Sequence, residues 1–233
     1  MLTLLQADST QLLIQEAAAP EKMSLIKMAV AGGWLMLVLL LLSIIAIYII
    51  GSRWWAIRQA GKGDPHLMGN IRELVRSGKT DSAIRLCKES PVPAARLIEK
   101  GLERIGRPLN DIQTAVENVA NIEIAKLEKG LPMLATVAGG APMIGFLGTV
   151  IGMIQAFYNM ASAGSNIDIT LLSDGIYTAM VTTVGGLFVG IIAYFGYNWL
   201  TARINDIVFK MENDTIGLMD LLGQSSANTS KEN

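Results

Sequence analysis

One cysteine, one histidine and three long stretches without a single charged side chain limit what this 233-residue chain can do. A lone Cys87 excludes an internal disulfide and reads as an ordinary thiol on a helix. With His66 the only histidine, no Cys/His metal pattern exists, so neither a metal site nor a cofactor is expected. His66 lies beside Pro65 in a turn-rich linker, and a catalytic base there would need a nucleophile held close to it in a pocket. An exposed helix start is the simpler reading. Gly140 and Gly145 are not followed by a Lys–Ser or Lys–Thr pair, which excludes a P-loop. A serine protease that cuts inside a membrane would need a histidine in a span, and none is there. The chain therefore reads as no enzyme. A net charge of −1 gives no nucleic-acid footprint, so no nucleic-acid partner is expected. Strand signals are weak and no repeat of 20–50 residues occurs, which makes the fold class all-α.

What the chain has in quantity is apolar surface. Hydrophobic residues make up 51% and charged residues 17%, and the mean hydropathy of +0.41 belongs to membrane proteins. Residues 28–52, 132–160 and 175–202 contain no Asp, Glu, Lys, Arg or His, and charge-free apolar runs of that length predict membrane spans. The first is rich in Leu and Ile and reads as the lipid-facing helix. The other two are crowded with small residues. Ala141, Gly145, Gly148 and Gly152 recur at helical spacing, as do Gly175, Ala179, Thr182, Gly186, Gly190 and Ala193. Such narrow faces let helix backbones approach closely in lipid, so spans two and three are expected to face protein and line the interior of a homo-oligomer.

Lysine and arginine near the span ends set the orientation. Residues 53–129 carry 14 of the 19 basic residues, and the connection 161–174 has none. The N-terminus and the loop 161–174 are therefore placed outside, and the segment 53–131 and the C-terminus inside. Lys22 and Lys27 run against this but are outnumbered. Trp34 stands near the outer end of span one and Trp54 and Trp55 at its inner end, while Tyr194, Tyr197 and Trp199 stand at the inner end of span three. Residues 17–19 look like a small-residue cleavage site, but neither a basic n-region nor a continuous apolar h-region precedes them. An amphipathic segment on the outer surface is expected over 1–27 instead.

Between spans one and two the pattern is that of a soluble helical domain, 53–131. A helix over 65–76 should stop at Ser77-Gly78, with Thr80 as N-cap of the next. Pro93 should open a helix to about Ile105, stopped by Gly106, and Pro108 should begin another. Ile112, Val116, Val119, Leu127, Leu131 and Leu134 make one helical stripe, which predicts continuity from Pro108 through span two to Met160, on the order of 80 Å. Span three should continue through 203–223, where Ile204, Ile207, Val208, Met211, Ile216 and Leu218 are the apolar positions, and neighbouring copies are expected to bury these stripes. The Ser-, Asn- and Thr-rich tail 224–233 is expected to be disordered.

Thr149, Thr178, Thr182 and Thr183 put four hydroxyls on these small-residue spans and point to a polar-lined interior. The bland alternative is a bond from each to its own helix backbone. An ion pathway usually holds an ionisable group at mid-membrane, and these spans have none. If the chain belongs to a proton-driven machine, the carboxylate must come from a second protein.

Gly139-Gly140-Ala141-Pro142 followed by Gly145-Phe146-Leu147-Gly148-Thr149-Val150-Ile151-Gly152-Met153 resembles the second-span signature of the MotA/TolQ/ExbB proton-channel family. Gly175-Ile176, Thr183, Gly185-Gly186-Leu187 and Tyr197-Asn198 resemble its third span. The likeness covers about residues 23–219. Flagellar stator members are longer and have four spans, so ExbB or TolQ is the nearer match, with ExbB preferred. The resemblance implies a subunit of a bacterial inner-membrane motor driven by the proton-motive force. It implies a homopentamer in the lipid bilayer whose spans two and three enclose the single helices of an ExbD-like subunit, whose aspartate takes the proton. Through a TonB-like protein the motor would drive outer-membrane import of iron complexes and vitamin B12. It places Thr149 and Thr183 as pore hydroxyls and Pro142 as the second-span proline, with Gly145, Gly148, Gly152, Gly186 and Gly190 packing around the pore. Many members carry a glutamate in the third span where this chain has Thr178. A TolQ-like role in envelope maintenance, and a structural scaffold that energises nothing, stay open beside the ExbB-like reading.

Overall fold

A computed structural model describes residues 32–62, 66–162 and 169–229. The segment 1–27, the first residues of span one, part of the 161–174 connection and the last four residues of the tail lie outside them. Every regular element among the described residues is an α-helix: α1 (Gly33–Ala60), α2 (Leu67–Arg76), α3 (Thr80–Glu89), α4 (Pro93–Leu102), α5 (Leu109–Glu128), α6 (Leu131–Ser162) and α7 (Ile169–Thr229). Three of the helical stretches are long and apolar enough to cross a membrane, α1, α6 and α7. The chain is a multi-pass membrane protein.

α1 and α7 run in the same direction, with Met36 and Leu39 against Gly185 and Ile50 against Gly196. α6 runs opposite to α7. The far ends of α1 and α7 meet a helical domain in which α2, α4 and α5 pack on the second half of α7 and α3 packs on α2 and α4. One continuous core joins the two regions. Leu39, Ala46, Leu134, Val137, Ala141 and Ala193 belong to its membrane part, and Ile71, Cys87, Leu97, Ile98, Val116, Met211 and Leu218 to the domain. Gly101 is pressed so closely on the Leu218 side chain that a β-carbon there would stand 2.5 Å from it.

Several expected boundaries shift. The helix expected from Pro108 to Met160 is broken: α5 ends at Glu128 and α6 starts at Leu131. Gly130 between them has φ +89°, a left-handed conformation that glycine adopts without steric cost. A single glycine between Lys129 and Leu131 carries little signal in a sequence, and the apolar stripe runs straight across it. Thr80 is the first helical residue rather than the N-cap, and Lys79 precedes it without a side-chain cap. α4 stops at Leu102, and turns lead to Gly106 at φ +93°. α7 runs on to Thr229, through the first part of the tail expected to be disordered.

The stripe on the second half of α7 also differs from expectation. Ile204, Ile207, Met211, Leu218, Leu221 and Leu222 are buried within the single chain, against α1 and the helices of the domain, without any neighbouring copy. Ile216 is the exception at 61% exposure, and Phe209 beside the stripe is 70% exposed.

Candidate functional site

The small-residue faces of α6 and α7 meet each other within one chain. Proceeding along the antiparallel pair, Pro142 packs on Gly190, Ala141 and Gly145 on Gly186, Gly148 on Thr182, and Gly152 and Ala156 on Ala179 and Gly175. A β-carbon on Gly145 would come within 2.9 Å of the Thr182 carbonyl oxygen and 3.1 Å of the Gly186 and Thr183 α-carbons. These neighbours are backbone and cannot swing aside, so glycine is the residue that fits. Small residues let the backbones close to this distance, which is the source of packing energy between helices in lipid. The faces expected to line an oligomer interior are thus already occupied by each other. Gly139 and Gly140, in contrast, have open space where a β-carbon would stand.

Pro142 lies inside α6. Having no N–H, it leaves the Ala138 carbonyl without its helical donor. That carbonyl oxygen faces Gly190, 3.1 Å from where a β-carbon would be, and the proline ring covers the same glycine.

The four candidate hydroxyls are placed differently. Thr182 is 2% exposed, and its hydroxyl donates to Ala179 O at 2.7 Å and lies 3.5 Å from Gly145 O. Thr183 is half-buried and donates across the seam to Gly145 O at 3.0 Å. Two neighbouring threonines of α7 therefore converge on one carbonyl at the middle of α6. Thr149 is half-buried and donates to Phe146 O of its own helix at 2.5 Å, the bland outcome for a threonine in a span. Thr178 stands half-buried one turn before Thr182. The Gly145 carbonyl as the meeting point was not legible beforehand, because spacing puts Thr182 and Thr183 near the glycine face without saying which carbonyl they reach.

Around this seam the outer faces are bulky and open. Met143, Phe146, Ile154 and Tyr158 on α6, and Met180, Phe188 and Phe195 on α7, are each more than 60% exposed in the single chain. α1 opens Leu37 and Tyr48 in the same way.

Titratable groups with shifted behaviour lie in the helical domain. Glu123, 5% exposed, takes hydrogen bonds from Lys126 at 2.6 Å and Arg96 at 2.7 Å. Burial pushes its carboxyl up, and the two cations more than reverse this, leaving it below the usual range. Burial, with Glu99 nearby, pushes the Cys87 thiol up to about 11. Burial also raises Asp214, with Lys210 opposing. Among the described residues no cluster of His, Cys, Asp and Glu could hold a metal ion.

The profile of the MotA/TolQ/ExbB proton channel family matches residues 89–213. An ExbB homolog by name from Methanothermobacter thermautotrophicus is 33% identical over 148 residues, 64% of this chain and 52% of that one. The Tol-Pal system protein TolQ of Haemophilus influenzae is 40% identical over 93 residues, 40% of each. The biopolymer transport protein ExbB of Neisseria meningitidis is 26% identical over 176 residues, 70% of this chain and 78% of that one. The chain thus spans about half the length of the first of these relatives and less of the second. The matched residues take in α4 to α6 and α7 as far as Asn213, including the whole small-residue seam, and the chain belongs to the MotA/TolQ/ExbB proton channel family.

Proposed function

We propose that the chain is the ExbB-like subunit of a motor in a bacterial inner membrane, driven by the proton-motive force and energising TonB-dependent import. The observation that carries this reading is the Thr183 hydroxyl on Gly145 O, a polar point at mid-span between two apolar runs, 132–160 and 175–202, that contain no Asp, Glu, Lys, Arg or His. A proton pathway through such a hairpin needs a carboxylate from elsewhere. In this reading an ExbD-like partner helix supplies it, held inside a homopentamer lined by α6 and α7 with α1 toward lipid. The N-terminus is periplasmic, and the helical domain and C-terminus are cytoplasmic, as the 14 basic residues of 53–129 favour. The open apolar face of α6, with Met143, Phe146, Ile154 and Tyr158, is a surface available for assembly.

The hydroxyl geometry gives this reading a mechanism. With its proton on Gly145 O, Thr183 offers only lone pairs, so it accepts a hydrogen bond from a protonated acid. To donate to an ionised aspartate it must turn away from Gly145 O. Loading and unloading the partner's carboxyl would therefore exchange one hydrogen bond for another, each worth about 1 kcal/mol net. A proton crossing 100 mV supplies about 2.3 kcal/mol, enough to drive that exchange. Thr149, on Phe146 O, has the same choice.

Proteoliposomes containing the chain with and without an ExbD-like partner test the core of this reading. Proton flux is expected only with both, and flux from the chain alone would overturn the role given to the partner. The likeness to TolQ over 93 residues favours envelope maintenance as the second reading. In a deletion strain, rescue of growth on scarce haem or vitamin B12 marks the import role, and rescue of detergent resistance alone marks the TolQ-like one. A complex that assembles but passes no protons would be a scaffold.

A further inference from the structure

Where α1 and α7 leave their apolar runs, a cleft of about 420 Å³ opens between them. Trp54 and Arg58 of α1 line one wall, Trp199 and Arg203 of α7 the other, and Lys62 and Lys210 its far end. The two walls repeat one device: Arg58 lies over the Trp54 ring at 5.8 Å and Arg203 over the Trp199 ring at 6.0 Å. Each guanidinium is thereby held by a cation–π contact, which leaves the N–H fork of Arg58 open to the cleft and that of Arg203 shared with one carboxylate. Four cations face one carboxylate, Asp206, which stands 3.6 Å from Arg203. No other carboxylate lies within 4.0 Å of these cations among the described residues. Arg58 and Lys62 also border a second hollow beside Trp55.

We propose that this cleft binds the phosphate headgroup of an anionic phospholipid from the adjoining leaflet. Guanidinium forks match phosphate oxygens bidentately, and basic pockets between membrane helices at the interface suit anionic headgroups. The surface above the cleft favours a lipid over a soluble phosphate. Ile47 lies two helical turns from Trp54 on the same face of α1, and Phe188, Ile192 and Phe195 share a face of α7 with Trp199. All four are exposed, Phe188 and Phe195 at more than 65%, and they offer acyl chains an apolar track leading away from the charges. This assignment depends on α1 and α7 spanning the bilayer and is independent of the motor reading, so either can fail alone.

The test uses the full chain in nanodiscs of equal parts phosphatidylglycerol and phosphatidylcholine, with native mass spectrometry reading which lipid stays bound. Preferential retention of phosphatidylglycerol is expected, falling about fivefold for each of Arg58→Gln and Arg203→Gln. Arg58→Lys should retain more than Arg58→Gln, and Arg85→Gln on α3 should change nothing. Circular dichroism checks the fold of each variant. If either glutamine variant fails to fold, Lys62→Gln and Lys210→Gln carry the same expectation. Equal retention of both lipids by the unaltered chain, or an unchanged preference in the double variant, would overturn the proposal. Displacement of the lipid by millimolar inorganic phosphate would also overturn it, by assigning the cleft to a soluble anion.

Discussion

Gly186 of α7 rests on Gly145 of α6 so closely that a β-carbon on Gly186 would stand 2.8 Å from the Gly145 α-carbon and 2.5 Å from Ala141 O. One methyl group there has to push two helices apart. Gly186→Ala is expected to destabilise the folded chain by about 1–3 kcal/mol, the usual cost of overpacking. Gly140→Ala, with open space around it, should be neutral in the isolated chain. Thermal unfolding of both variants in detergent, followed by circular dichroism, compares them, and equal stabilities would show that the seam yields.

The hydroxyls separate by what they touch. Thr149→Val and Thr183→Val keep the side-chain shape and are expected to assemble normally with an ExbD-like partner yet lose TonB-dependent uptake. Thr178→Val should be milder. Thr182→Val should act on stability instead, by about 1 kcal/mol, because its hydroxyl is buried in the seam. Uptake assays and unfolding measurements on the same four variants read the two effects apart. Full uptake in a Thr149→Val/Thr183→Val double variant would exclude the proposed role of the pair.

Glu123 ties α5 to α4 through Arg96 while holding Lys126. Its carboxyl is lowered in the folded chain, so the stability it contributes is fully present at neutral pH. That contribution is lost as the pH falls from the ordinary glutamate range through the lowered folded value. Glu123→Gln is expected to cost about 1–3 kcal/mol at pH 7 and to flatten this acid limb. Melting curves between pH 3 and pH 7, taken at about half-unit steps, would check both; an acid limb as steep in the variant would assign the effect to other carboxyls.

Cys87 is 1% exposed and its thiol is raised to about 11, which leaves almost no thiolate at pH 8. Alkylation by iodoacetamide at that pH should be slow in the folded chain and fast once it is unfolded. Rapid labelling of the native protein would show that α2 to α4 open readily.

Among the described residues, Phe209 and Ile216 are the large apolar side chains of the distal half of α7 that the single chain leaves bare. Phe209→Asp and Ile216→Asp are expected to weaken the oligomer while leaving the helical content intact. Deleting 203–222 would be a poorer probe, since it removes Met211, Leu218 and Leu222 from the chain's own core. Native mass spectrometry gives the assembly state, and an undiminished oligomer in both variants would place the subunit contacts elsewhere.

The spans were legible because an absence of charge over more than 20 residues has few readings. Turn chemistry was legible where a glycine coincided with a change of pattern, as at Gly78 and Gly106, both at positive φ. It failed at Gly130, where the apolar stripe continues across the break and hides it. The small-residue faces announced close packing, but periodicity does not name the partner surface. Gly145 and Gly186 turned out to serve each other rather than a neighbouring copy. Likewise the stripe from Ile204 to Leu218 called for burial, and only the packing of the domain revealed that the same chain supplies nearly all of it.

α7 runs unbroken for 61 residues from Ile169 to Thr229, about 90 Å of helix. Thr182, Gly186 and Gly190 at one end and Met211 and Leu218 at the other are therefore fixed at set angles on one shaft. Each residue advances the helix by about 100°. Adding or removing one residue between Leu200 and Ile204 would turn Thr183 away from Gly145 or swing Leu218 out from under Gly101. On the α5–α6 side the Gly130 turn can absorb such a change. The chain thus counts residues strictly along α7 and loosely along its neighbour, so a change of length in α7 becomes a change of angle.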